Sequence, residues 1–205
     1  MKIAILQPTP FRKGHYFIYT KSLFDKIYSY GKKVKIISAL KTYDVLKNEK
    51  PSNLNFNIYS FHGLIIYLAL CIATISRFII LRKNFNRIII LDCEYTCISI
   101  LLFILRLLRW EGKITIQVNA PNFNYNIKKE GFSPFGILKF IQSLIFRKSL
   151  YLFDLKISCI GIWHKKELSK QLSFPRNKIL VIEDGGGEVI KKVSKSSLII
   201  KLKEN

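Results

Sequence analysis

Short β-branched runs alternate along this chain with long apolar stretches of helical period, and that alternation constrains the fold more than any other feature. Residues 88–91 (Ile-Ile-Ile-Leu) and 179–182 (Ile-Leu-Val-Ile) are apolar at every position, as strands covered on both faces must be. With them, strands are expected at residues 2–6, 34–38, 55–59, 87–91, 114–118, 156–158 and 178–182. Between them the spacing predicts helices. Tyr16, Tyr19, Leu23, Ile27 and Tyr30 recur at three- and four-residue steps over residues 15–30, and Gly31 stands at the helix stop. Further helices are expected over residues 63–81, 95–109 and 163–172. One more runs from the Ser133-Pro134 cap pair to about residue 153. Strands separated by helices of this length join by βαβ crossovers, so the expected fold class is α/β, a mostly parallel sheet flanked by helices.

Nearly half of the 205 residues are hydrophobic (49%) and 23% are charged, which excludes a disordered chain. Residues 1–183 read as one domain. After Gly185, Gly186 and Gly187 the composition turns polar and rich in Lys and Ser, so residues 184–205 read as a hinge or tail. The net charge of +21 favours anionic partners such as phospholipid head groups, phosphorylated small molecules or nucleic acid. No run of five like charges occurs, so lysines spread over ordinary solvated faces account for the surplus equally well. Aromatic residues sit at core-like positions and no RNA or DNA motif is present, which argues against nucleic acid.

Cys71, Cys93, Cys97 and Cys159 fall mainly in apolar stretches, and Cys93 and Cys97 have no His or Cys pair elsewhere at ligand spacing, which argues against zinc. A reducing cytosolic compartment follows. Residues 64–81 approach membrane-spanning length. Against a span, Tyr67, Thr74 and Arg77 draw a polar stripe along this helix, and Ser99, Arg106 and Arg109 repeat it on the next. An Arg held among lipid tails costs roughly 3 kcal/mol at mid-bilayer. Two greasy helices with matched stripes are therefore expected to cover a sheet, with peripheral contact at the inner face of the membrane.

Ligands of open parallel sheets bind beyond the carboxyl ends of the strands, which turns a strand list into a site list. After the first strand, Arg12 and Lys13 supply charge for an anion. Gly14 and His15 then open a helix whose N-terminus favours the same sign; a plain helix entry is the alternative. Asp92 and Glu94 follow the fourth strand, either as helix caps or as ligands for sugar hydroxyls. Asn119 follows the fifth strand, where an amide either forms a turn or recognises a polyol. His62 and His164 read as structural or surface residues. No GxGxxG, no P-loop and no nucleophile triad is present, so no catalytic residue is assigned.

Three segments carry a resemblance to a known family. They are MKIAILQPTPFRKGHYFIYTKSLFDKIYSYGKKVKIIS, RIIILDCEYTCISILLF and LFDLKISCIGIWHKKELSKQLSFPRNKILVIEDGGG. Together they resemble the N-terminal, acceptor-side domain of family-4-type glycosyltransferases of the GT-B fold. Gly14 and His15 match that family's first loop, and Gly31 with Val34 match its Gly-x-x-Val turn. The resemblance implies a single Rossmann-like GT-B half, belonging to an enzyme that moves a hexosyl group from a nucleotide-sugar to a glycan or lipid-linked acceptor. It implies no bound metal and no cofactor, the nucleotide-sugar being a substrate. Gly14, His15, Asp92, Glu94 and Asn119 would face the acceptor, Arg12 and Lys13 an anion, and Gly185 and Gly186 the interdomain hinge. Many members carry a His where this chain has Asn119. The donor-binding half should begin where this sequence stops, so the expectation is a half that is either truncated or completed by a second polypeptide carrying the donor domain. The competing expectation is a non-catalytic basic Rossmann-like module that binds a membrane surface or another anionic partner.

Overall fold

A computed structural model describes residues 2–8, 33–44, 61–91, 93–118 and 134–182. The described strands are β1 (Lys2–Leu6), β2 (Lys33–Ile37), β3 (Thr42–Asp44), β4 (Arg87–Ile90), β5 (Lys113–Gln117), β6 (Lys156–Ile160) and β7 (Ile179–Ile182). They form one sheet in the order β3-β2-β1-β4-β5-β6-β7. Every neighbouring pair is parallel except β2 with β3, which is antiparallel. The described helices are α1 (Phe61–Leu81), α2 (Tyr95–Leu107), α3 (Pro134–Ser149) and α4 (Ile162–Leu172). The protein is thus α/β with a Rossmann-like, mostly parallel sheet, as the alternating pattern predicts.

Most expected elements lie within a residue or two of their observed bounds. The expected helix over residues 15–30 and strand over 55–59 lie outside the described residues. β3 was not anticipated. Three residues carry no readable period, and the strand exists because Ser38 closes a tight turn before it. The Ser38 hydroxyl donates to the Lys41 carbonyl at 3.0 Å and accepts from the Lys41 amide at 3.2 Å. That turn brings Tyr43 opposite Ile36, where its ring is buried.

Strands added outward from β1 through β4, β5, β6 and β7 keep their right-handed crossovers on one side of the sheet. Accordingly α1 to α4 share a single core with Ala4, Leu6, Ile88, Ile90, Ile114 and Ile116. The alternate residues Ile3, Ile5, Val34, Ile36, Tyr43 and Leu91 form a smaller cluster on the opposite face. In the main core Phe78 meets Trp110 edge-on, with ring centroids 6.0 Å apart, and lies 6.3 Å from Phe85. Each fully buried side chain of this size contributes roughly 1.5–3 kcal/mol.

The helix ends are set by local bonding. After α2, Arg109 takes a left-handed φ of 50°, and the Trp110 amide reaches back to the Leu105 carbonyl at 3.0 Å, the six-to-one bond of a Schellman stop. Trp110 then covers Gly112 so closely that a Cβ there would lie 2.1 Å from its ring, which restricts the position to glycine. Between β6 and α4 the chain turns at Gly161, whose φ of 86° and ψ of 154° form a combination open essentially to glycine alone.

The hydroxyl members of the polar stripes on α1 and α2 face inward, while Arg106 and Arg109 at the end of the second stripe are exposed. Thr74 and Ser99 are buried, and each hydroxyl donates to the carbonyl four residues earlier, Leu70 and Tyr95, at 2.8 Å. A hydroxyl satisfied within its own helix packs against a core at little cost. Arg77 turns aside to the β2–β3 turn, at 3.4 Å from the Leu40 carbonyl.

Candidate functional site

The last residues of the strands build a polar row along the carboxyl edge of the sheet. The ladder pairs Leu6 with both Ile37 and Ile90, Ile90 with Ile116, Gln117 with Ser158, and Ser158 with Leu180. One step beyond, the Gln7 amide donates to the Ile37 carbonyl at 3.0 Å and the Leu91 amide to the Leu6 carbonyl at 2.9 Å, so the pattern continues past the strand ends. Ser38, Gln7, Leu91, Gln117, Ser158 and Leu180 therefore lie in one row. Strand alternation puts that row on the face opposite α1 to α4.

Four of these six are polar and buried: Gln7, Ser38, Gln117 and Ser158. On the same face one step back, Ile36, Ile5 and Ile89 continue the apolar cluster, whereas Thr115 and Lys156 occupy β5 and β6. The second face is thus apolar over β2, β1 and β4, and polar over β5 and β6. Ser38 is occupied by its turn. Ser158 is only 1% exposed, and among the described residues its Oγ has no hydrogen-bond partner. A buried hydroxyl in that condition costs about 1–3 kcal/mol, which a ligand group placed beside it would recover.

Of the site residues expected from the sequence, Glu94 is described, and it caps α2. Its carboxylate accepts from the Cys97 amide at 3.0 Å and the Thr96 hydroxyl at 3.2 Å. The Gln142 side chain of α3 donates to the same carboxylate and lies 3.0 Å from the Thr96 hydroxyl. One carboxylate thus satisfies one orphan amide at the start of α2 and fastens α3 to it. Arg12, Lys13, Gly14, His15, Asp92, Asn119, Gly185 and Gly186 lie outside the described residues. His62 is exposed, and His164 is half-buried with its ring 5.4 Å from Trp163. Gln142 was missed because its partners stand more than forty positions away and only folding brings them together. Ser158 had a faint signal, a polar residue closing a short apolar run.

Under the carboxyl end of β4, three cysteines from different elements converge. The hydrogen bond between Cys71 and Cys93, together with burial, pushes the Cys71 thiol well above the ordinary thiol range. Its bond to Cys71 and its own burial do the same for Cys97. Such thiols stay protonated and behave as packing groups. Among the described residues no group of three His, Cys, Asp or Glu side chains is arranged to hold a metal ion.

Fold and edge together define the class: a Rossmann-like α/β protein whose sheet presents buried amides and hydroxyls at its carboxyl ends. No known family model matches the sequence. No curated protein sequence matches it significantly either.

Proposed function

We propose that this chain is the acceptor-binding half of a hexosyl-type glycosyltransferase, which uses a nucleotide-sugar donor and a glycan or lipid-linked acceptor. The observation that carries the reading is the buried polar row, above all the unpartnered Ser158 Oγ beside Gln117. Polyols are recognised by groups that both donate and accept, and amides and hydroxyls fixed on strands offer both without the desolvation cost of a charge. The row lies where ligands of open parallel sheets bind. In this reading Gly14, His15, Asp92 and Asn119 stand on the loops that follow the same strand ends. Arg12 and Lys13 meet an anionic group of the acceptor, and Gly185 and Gly186 form the hinge towards a donor-binding half. Glu94 enters as the group that holds the α2 N-terminus in place.

The test is titration of the chain with neutral saccharides and, separately, with nucleotide-sugars, followed by heteronuclear NMR. Saccharides are expected to shift the amides of residues 117 and 158, and nucleotide-sugars to leave them unmoved. Ser158→Ala removes an orphan hydroxyl, so its melting temperature should stay level or rise, while saccharide affinity falls roughly five- to tenfold for one lost hydrogen bond. Saturable nucleotide-sugar binding without saccharide binding, or a Ser158→Ala variant of unchanged affinity, would overturn the reading.

A further inference from the structure

The outer surface of the helical layer has the wrong chemistry for water. A helix covering a sheet normally turns charged residues outward, and α4 does so with Lys166 and Lys170 beyond its exposed first residues Ile162 and Trp163. The other three helices turn mainly apolar residues outward, with Arg106 and Lys148 exposed near the C-terminal ends of α2 and α3. α1 exposes Ile65 and Ile72, the latter by 57%; α2 exposes Phe103 by 58% and Leu107 by 68%; α3 exposes Ile141 and Ile145. Between α2 and α3 runs a groove of about 490 Å³ lined by Ile100, Phe103, Leu144, Ile145 and Leu152, with Lys148 at its end. Contiguous apolar surface on this scale marks an interaction site.

The charges around it identify the occupant. Each of these helices ends in basic residues: Arg82 and Lys83 after α1, Arg106 on α2, Arg147 and Lys148 on α3. The short links that follow lead straight into strands that themselves open with a basic residue. Lys2 and Lys33 pair at the amino edge of the sheet on the side that carries the helices, while Arg87 and Lys113 alternate to the opposite face. The apolar face is therefore bordered at one end by a rim of the basic residues that close its helices; among the described residues the acids nearby are Glu111 between α2 and β5, Asp154, engaged by Lys178 at 2.6 Å, and Asp44, which lies beside Lys2, Lys33 and Lys35. A second copy of this chain would bring two such rims together in a molecule of net charge +21. An anionic bilayer matches both parts of the surface, its acyl boundary taking the apolar side chains and its phosphates the rim.

We infer that the outer face of α1, α2 and α3 docks on an anionic phospholipid surface, with the basic C-terminal ends of these helices at the head groups. The helices lie along the interface. Residues 62–84 are long and apolar enough to cross a membrane, with a mean hydropathy of 2.4 over an 18-residue window, yet Cys71, Thr74 and Phe78 on the inner side of α1 are buried against the core. The inference stands on this surface alone and holds whether or not the glycosyltransferase reading does.

The experiment is flotation of the full chain with vesicles of phosphatidylcholine alone and of phosphatidylcholine with phosphatidylglycerol. Binding is expected to the anionic vesicles and to weaken as salt is raised. Arg106→Ala with Lys148→Ala should lower it about thirty-fold, from about one kcal/mol per basic side chain. Phe103→Glu should lower it roughly tenfold or more. Hydrogen exchange of the unaltered protein with bound vesicles supplies a readout independent of variant folding: residues 100–108 and 137–148 should gain protection, while 162–172 should not. Three results would overturn the inference. They are no dependence on lipid charge, equal protection of α4, and a salt-stable dimer that Phe103→Glu dissociates in the absence of vesicle binding.

Discussion

Replacing Glu94 by Ala tests the bonding at the start of α2 most directly. The carboxylate makes three contacts, to the Cys97 amide, the Thr96 hydroxyl and the Gln142 amide. Loss of the cap costs about 1 kcal/mol. Loss of a negative charge at a helix N-terminus adds about 0.3–1 kcal/mol. The Gln142 amide loses a charged acceptor worth about 1.5 kcal/mol at the low end, since the site is half-exposed and water replaces part of it. Those terms overlap, so the expected destabilisation is about 2–3 kcal/mol. For a chain of this size each kcal/mol lowers the melting temperature by about 2–4 °C, giving a fall of about 5–10 °C in a thermal melt followed by circular dichroism. Glu94→Gln keeps an oxygen for the Cys97 amide and loses only the charge, so it should fall about half as far. A double-mutant cycle with Gln142→Ala should return a coupling of about 1 kcal/mol. If Glu94→Ala melts with the unaltered protein yet binds saccharide more weakly, Glu94 is a ligand group and the capping argument is wrong.

Phe78→Ala empties a fully buried site between Phe85 and Trp110 and should cost about 3–5 kcal/mol, read as a lower urea midpoint with unchanged slope. Gly161→Ala meets no atom within 4 Å, so its cost of about 1–3 kcal/mol is backbone strain alone; a neutral result would contradict the positive φ. Native Cys71, Cys93, Cys97 and Cys159 are all buried and should resist a thiol reagent until the protein unfolds. Thiol–thiol bonding and then burial raise Cys71 and Cys97, and burial raises Cys159. Their stabilising contribution is therefore complete below the unfolded thiol pKa of about 8.5 and declines above it, as the unfolded chain releases protons first. Under reducing conditions the urea midpoint should drop between pH 8 and 9.5, and drop less in Cys97→Ala; a midpoint independent of pH would refute the assignment.

The fold was legible in the sequence because its signals are local. Continuous apolar runs such as Ile88–Leu91 report burial on both faces, and the helical period between them demands crossovers, whatever the rest of the chain does. Where the signal was short, it failed. β3 has three residues and depends on the Ser38 turn, which no period announces. The stripes on α1 and α2 were visible as spacing, but spacing does not say which side of a helix meets the sheet. Thr74 and Ser99 went inward because each hydroxyl found a carbonyl on its own helix.

The candidate site divides in the same way. That ligand-facing groups stand at strand ends follows from order along the chain, which is how Asp92, Glu94 and Asn119 came to be singled out. Which of them share a face is decided by register. Ser158 lies beside Gln117 because β5 and β6 pair as they do, and Gln142 reaches Glu94 because α3 packs on α2. Composition and period determined that this chain forms a twisted parallel layer under greasy helices, since burial of apolar surface and hydrogen bonding of the backbone leave few other arrangements. The tertiary structure alone decided the meeting of polar side chains far apart in sequence, and the side on which grease stays exposed, because directional bonds and packing faces acquire partners only once the elements dock.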